Sequence, residues 1–227
     1  MKTTSLILAT AVTIFLGYCG LETYTADARW TVDELLVNQE EKKNKPEAKE
    51  SETATFGAGC FWCVEAVFKE LKGVKSVESG YSNGRVSNPT YRQVCTGLTG
   101  HAEVIRVRFE PAVVSFEELL EVFWKTHDPT TLNRQGVDKG TQYRSGVYYH
   151  SNEQKKAAVE LKKKLNAAKI WRKPIVTEIV KAKTFYKAED YHQDYFELNG
   201  QQPYCRAVIV PKLEKFRKVF KDKLKDK

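Results

Sequence analysis

An α/β fold, organised as an α+β sandwich, is what this sequence predicts, and three observations predict it. Strand-like and helix-like apolar patterns alternate along one stretch from about Thr53 to about Phe220. Two of the helical patterns open on a Ser-x-x-Glu/Gln capping signal, at Ser115 and Ser151. No Gly-rich phosphate loop interrupts the alternation, which sets aside a nucleotide-binding fold. The stretch is long enough for one domain with a sizeable core, and no internal repeat is visible.

Thr53–Ala58 is a short apolar strand pattern. A helix follows from Cys60 to Lys72, with Phe61, Val64, Val67, Phe68 and Leu71 as its apolar stripe and Gly73 as its stop. Val74–Tyr81 reads as a strand, which completes a β-α-β unit. Ser82–Tyr91 is rich in Gly, Ser, Asn and Pro and reads as a loop. Glu103–Glu110 sets Ile105, Val107 and Phe109 against Val104, Arg106 and Arg108, the alternation of a half-buried strand. Ser115 and Glu118 cap a helix that turns Phe116, Leu119, Leu120, Phe123 and Trp124 inward. Ser145–His150 is a strand, Ser151 with Gln154 opens a Lys-rich helix through Ala168, and Ile175–Val180 is the last strand. The expected architecture is a mixed sheet with a β-α-β core and flanking helices, in a ferredoxin-like arrangement.

The N-terminal segment carries a targeting signal. Lys2 precedes an apolar run from Leu6 to Leu16, too short to span a bilayer and the right size for a signal-peptide core. Ala26-Asp27-Ala28 offers a cleavage site. Leu16-Gly17-Tyr18-Cys19 resembles a lipoprotein signal in which Cys19 would carry the lipid; an uncleaved anchor is the third alternative. Residues 1–28 therefore read as a signal and 29–52 as a charged tether, since Glu40–Glu50 has almost nothing to bury. The domain spans 53–220, with 221–227 a basic tail. All three alternatives place the domain outside the cytoplasm, in a periplasm or bacterial envelope.

The formal charge of +8 is concentrated towards the C-terminus. From Lys212 to Lys227, eight Lys or Arg stand against three Asp or Glu. Because Leu213, Phe216, Val219 and Phe220 recur among them at helical spacing, an amphipathic terminal helix is favoured over a nucleic-acid surface. Contact with an anionic membrane surface, through this tail or a lipid on Cys19, is the sharper alternative.

Gly59-Cys60-Phe61-Trp62-Cys63-Val64-Glu65 carries the chemistry. Cys60 falls at a helix N-terminus, where free N–H groups and the helix dipole favour a thiolate. Two aromatics follow it, and Cys63 lies on nearly the same helical face. Four readings compete. A zinc site with Cys205 and a histidine lacks a second closely spaced pair. A thioredoxin-like exchange site has Phe-Trp where a turn former is expected. A structural disulfide would close a very small loop and stabilise little. The fourth is an oxidoreductase whose Cys60 attacks a sulfur-containing substrate seated against Phe61 and Trp62.

Taken with Gly80-Tyr81, Pro89-Thr90-Tyr91, Gly100-His101-Ala102-Glu103-Val104, Asp128-Pro129-Thr130, Gly140–Ser145, Ala188–Gln193 and Gln202-Pro203-Tyr204-Cys205, the heptad resembles the signature of the peptide methionine sulfoxide reductase A family. The matches cover roughly Thr53 to Lys215. The resemblance implies reduction of the S epimer of methionine sulfoxide, free or in proteins, by a monomer. It implies no metal or bound cofactor and no nucleic acid, with thioredoxin or a similar external dithiol as reductant. It also implies that Cys60 is the nucleophile and Glu103 the acid, that Tyr91 and Tyr143 hydrogen-bond the sulfoxide oxygen, and that Phe61, Trp62 and Asp138 bound the substrate pocket.

A carboxyl beside aromatic rings is expected to be protonated near neutrality; alone, Glu103 reads equally as a solvent-facing charge at a strand end. Cys60 would become a sulfenic acid and condense with a second thiol. Cys63 is favoured as that resolving thiol, Cys205 is its rival, and a relay through both is open. Cys95 reads as a small buried residue; His101 and His192 could tune the site but read first as structural histidines.

Overall fold

The computed structural model describes residues 50–226; the signal, Cys19 and nearly all of the tether lie outside these residues. A six-stranded sheet organises the domain. Its strands are β1 (Glu52–Gly57), β2 (Val74–Ser82), β3 (Ala102–Phe109), β6 (Gly146–Tyr149), β7 (Glu178–Lys181) and β8 (Tyr186–Lys187). They lie in the order β7-β6-β1-β3-β2-β8. Only β6 and β7 pair in parallel; every other neighbour is antiparallel. The helices are α1 (Phe61–Lys69), α2 (Tyr91–Cys95), α3 (Phe116–Thr126), α4 (Asn152–Ala167), α5 (Tyr195–Asn199) and α6 (Val210–Val219). A two-residue ladder, β4 (Arg134–Gln135) with β5 (Asp138–Lys139), forms a separate hairpin.

The order has a simple cause. Helix α1 carries the chain from β1 to β2 past one strand width, and β3 then fills the gap between them, antiparallel to both. Helix α3 returns the chain to β6 on the free edge of β1. Two β-α-β units are thus interleaved in one mixed sheet.

The core lies between the sheet and the helices. Phe56 on β1 is its hub, with ring centroids 5.3 Å from Phe68 of α1, 6.0 Å from Phe116 and 5.2 Å from Phe123 of α3. On β3 the alternation is as expected: Ile105, Val107 and Phe109 are fully buried, while Arg106 turns to the other face and pairs with Glu78 at 2.7 Å. That face has its own small cluster of Ala102, Val104 and Tyr148.

Several expectations need correction. Helix α1 stops at Lys69 rather than Lys72, because the Glu70 and Leu71 N–H groups bond three residues back and Gly73 turns the chain at a positive φ of 77°. The stretch read as loop ends in helix α2, whose Thr90–Gln93 capping box is complete. Ser151 does accept from the Gln154 N–H, but the Gln154 side chain bonds His150 N–H and Thr53 C=O instead of closing the box. The last expected strand begins three residues late, at Glu178. Ile175 instead packs into the core, its N–H held by Asn166 Oδ1, and Val176 N–H bonds Pro129 C=O.

The amphipathic reading of the C-terminal segment agrees with α6, which buries Leu213 and Phe216. Past Phe220 the chain stays on the domain. Lys72 N–H donates to Lys223 C=O, Lys225 N–H donates to Glu70 C=O, and the Lys223 ammonium meets Glu118 at 2.6 Å.

Candidate active site

The first turn of α1 builds the site. Gly59 has φ 90°, a region L side chains avoid, and a Cβ there would meet Gln135 of the β4–β5 hairpin at 2.6 Å. Only glycine lets the chain turn this sharply from β1 into α1 beneath that hairpin. Cys60 is then the N-cap, and it supplies no side-chain hydrogen bond to the helix. The first free N–H, that of Phe61, is taken up from the sheet: it donates to Glu103 Oε2 at 3.1 Å.

Glu103 reaches that position by strand parity. It shares the face of Ile105, Val107 and Phe109, so it points to the core and is 1% exposed. This sets aside its reading as a solvent-facing charge. Burial lifts its carboxyl to about 8, aided by the charges of Asp138 and Cys63 and opposed by the Phe61 N–H. Tyr91 and Tyr143 are half-buried, and both phenols are held well above their usual range, first by burial and next by the charge of Glu103. They remain hydroxyl donors at any working pH.

The two nearest thiols act as one unit. Cys60 and Cys63 are both buried and hydrogen-bond each other. Burial pushes the Cys60 thiol up, and so do the bond with Cys63 and the charges of Cys63 and Glu103. Cys63 is drawn down to about 7, chiefly by the bond with Cys60 and further by the Lys212 ammonium, against the cost of burial. The expectation of a helix-stabilised thiolate on Cys60 is therefore corrected. Desolvation outweighs the dipole at Cys60, and of the two thiols Cys63 is the one drawn down.

Cys63 is also 3.6 Å from the Tyr204 hydroxyl, which donates to Asp138 Oδ2 at 2.9 Å. One hydroxyl proton thus stands between a carboxylate and a thiolate. Asp138, half-buried on β5, is raised by burial, while Tyr204 and Lys212 oppose the shift. Cys205 begins a π-helical turn, Cys205–Ile209, and is fully buried. Burial and the charge of Cys63 raise its thiol, and no described interaction joins it to Cys60.

Phe61 and Trp62 form an aromatic wall with partners the sequence did not single out. Tyr195 lies flat on the indole, 3.6 Å between centroids and 6° between planes, and Tyr204 meets it edge-on at 5.9 Å. The indole N–H donates to His192 Nδ1 at 3.1 Å. Since an indole nitrogen can only donate, the neutral His192 carries its proton on Nε2. Behind this wall Glu189 accepts from the Tyr91 N–H at 2.9 Å and the Tyr81 hydroxyl at 2.8 Å, which docks α2 on the sheet.

His192 therefore touches the site, whereas His101 is structural: it accepts from Gly84 N–H and its other nitrogen bonds Val86 C=O. Cys95 is exposed at the end of α2, not buried, because the helix faces Val94 inward instead. Tyr204 and Tyr195 were hidden in the sequence by distance. The one signal for Tyr204 is its place in Gln202–Cys205, a segment that points to Cys205 as the rival resolving thiol, while Tyr195 lies two residues past the Ala188–Gln193 match and carries none.

A buried protonated carboxyl, a pair of phenol donors, two coupled thiols and an aromatic wall suit nucleophilic attack by sulfur on a small polar group carried on an apolar chain. Comparisons with known proteins agree. The family model for peptide methionine sulfoxide reductase matches residues 52–224. A peptide methionine sulfoxide reductase MsrA of Polynucleobacter asymbioticus is 55% identical over 185 residues, covering 82% of this chain and 96% of that protein. That of Sulfolobus acidocaldarius is 57% identical over 172 residues, covering 76% and 97%. Among solved structures, reduced Mxr1 of Saccharomyces cerevisiae superposes with a TM-score of 0.65 at 38% identity, covering 72% of this chain and 94% of that one. Methionine sulfoxide reductase A of Corynebacterium diphtheriae gives 0.61 at 39% identity, covering 67% and 77%. With its sheet, its buried carboxyl and its paired thiols accounted for, this chain belongs to the peptide methionine sulfoxide reductase family.

Proposed function

We propose that the chain reduces the S epimer of methionine sulfoxide, free and within proteins, using Cys60 as nucleophile and Cys63 as resolving thiol. The observation that carries this reading is the Cys60–Cys63 hydrogen bond beside a buried carboxyl with a pKa of about 8. The substrate's methyl group sits against Phe61 and Trp62, a contact that gains about 0.3–1.5 kcal/mol from sulfur on an aromatic ring. Tyr91 and Tyr143 donate to the sulfoxide oxygen. Because Glu103 Oε2 accepts from Phe61 N–H, its proton resides on Oε1 and is available to that oxygen.

Attack begins with a proton passing from Cys60 to the more acidic Cys63 along their shared hydrogen bond. The Cys60 sulfur then gives an electron pair to the substrate sulfur as Glu103 protonates the oxygen. The hydroxyl then passes from the substrate sulfur to the Cys60 sulfur as the bond between the two sulfurs breaks, so that Cys60 becomes a sulfenic acid and methionine leaves with the electron pair. Cys63 passes its proton to the Glu103 carboxylate and attacks the Cys60 sulfur; the S–O bond breaks, a disulfide forms, and the departing hydroxide takes that proton from Glu103 and leaves as water. An external dithiol, a thioredoxin-like protein, exchanges with that disulfide and restores both thiols. Tyr204, held in place by Asp138, steadies Cys63 through this second step. The signal-like N-terminus supports a site of action outside the cytoplasm, where the enzyme repairs oxidised envelope or exported proteins, with Cys19 lipid or the basic tail as a means of membrane contact.

The test is turnover of separated S and R epimers with a small dithiol present. Loss of the S epimer alone, abolished in Cys60→Ser, is expected, and full turnover by that variant would overturn the mechanism. Mass spectrometry of the substrate-oxidised protein should yield a Cys60–Cys63 disulfide peptide. A Cys60–Cys205 peptide in its place would assign resolution to Cys205.

A further inference from the structure

The five most exposed large apolar side chains among the described residues are Leu198 (74%), Leu98 (73%), Val137 (73%), Leu132 (71%) and Tyr191 (61%). Singly, such residues on a surface mean little. Here all five fall on the segments that frame the thiols. Leu98 lies between Tyr91 and Glu103, and the neighbouring Gly97 would carry a Cβ only 3.2 Å from the Thr141 hydroxyl, beside Tyr143. Leu132 precedes, and Val137 is at the turn of, the hairpin whose Gln135 covers Gly59 and whose Asp138 meets Tyr204. Tyr191 precedes His192, with ring centroids 4.3 Å apart, and His192 lies 4.4 Å from the Tyr91 ring. Leu198 is on α5 with Tyr195, the ring stacked on Trp62.

We infer that these residues form an apolar collar around the mouth of the site, and that its occupant is the extended polypeptide on either side of the oxidised methionine. The inference rests on the reading of the pocket as the sulfoxide site and extends it to substrate choice. Continuity decides the occupant: a chain that delivers its side chain to Cys60 must lay its neighbouring residues on these loops. The chemistry matches. Methionine is an apolar side chain that packs among others, and its sulfoxide is polar enough to break that packing, so the segment it releases carries apolar neighbours. The enzyme is therefore selective for sulfoxides flanked by large apolar residues.

The experiment compares two capped pentapeptides of methionine S-sulfoxide, one flanked by Phe and Leu and one by Ser on both sides, against the capped single residue. Full-length protein and a saturating small dithiol are used. The parent should favour the apolar peptide by about tenfold in kcat/KM, the scale of partly burying one or two such side chains. In Leu98→Ser combined with Val137→Ser the ratio between the peptides should fall towards one. Equal use of both peptides by the parent overturns the collar, and so does an unchanged ratio in the variant. If the substitutions leave the ratio but weaken the half-saturating concentration of a thioredoxin, the loops dock the reductant and the inference is wrong. Absence of turnover by the parent on all three substrates would instead overturn the sulfoxide reading, and the collar with it.

Discussion

The Phe61 N–H donates to Glu103 Oε2 across 3.1 Å, and this one bond fastens the helix that presents Cys60 to the strand that presents the buried carboxyl. The carboxyl is nevertheless protonated near neutrality. The N–H favours the anion, but desolvation is the larger effect, and the carboxyl rests near 8.

The pH profile of kcat/KM should be a narrow bell. Glu103 must be protonated, so activity is present below about 8 and is lost as pH rises through that value. The thiol pair must hold one negative charge, so activity is lost as pH falls through about 7. Glu103→Gln should lower kcat/KM by about 10²–10⁴ and remove the alkaline limb while leaving the acid limb. Rates measured from pH 5 to 10 on the S epimer decide this; an alkaline limb unmoved in the variant would assign it to another group.

The same residue has an opposite effect on stability. Its carboxyl titrates near 4.5 when unfolded and near 8 when folded, so the folded state holds the proton more tightly. Stability is then greatest below about 4.5 and falls as pH rises towards 8. Glu103→Gln lacks that loss. At pH 9 the variant should be more stable by about 1–3 kcal/mol, or about 3–10 °C in a domain of this size, with little difference at pH 5. Thermal unfolding at the two pH values checks it, and a difference independent of pH would refute the linkage.

Tyr204→Phe should shift the acid limb of the profile to higher pH. The hydroxyl donates to Asp138 and hydrogen-bonds both thiols, helping to lower Cys60 and Cys63 alike. Its loss should slow both release of the first equivalent of methionine and disulfide formation by about tenfold, the effect of losing about one charge-assisted hydrogen bond. Rapid-quench measurement of the two steps checks it, and an unmoved acid limb with both steps at the parent rate would mean that the residue only shapes the pocket.

Much of this was legible in residue order. The β3 alternation that sent Ile105, Val107 and Phe109 inward also implied that Glu103 points inward, because parity does not stop at a charge. The Thr90–Gln93 box was equally readable as a helix start, yet the Gly, Ser, Asn and Pro before it drew the segment into a loop. Ile175 and Val176 read as strand because burial leaves the same apolar mark in a packed turn as in a sheet.

By itself the sequence determined most of the helices and strands and put Cys60 at a helix start, because periodicity and capping signals are local; its motifs carried the resemblance to the family. The tertiary structure alone decided which thiol is drawn down and which residues clasp Trp62. Those outcomes depend on desolvation and on partners brought from Glu103, His192, Tyr195, Tyr204 and Lys212, more than forty to about a hundred and fifty positions away, and energies that fall off over a few ångströms in space leave no trace in distance along a chain.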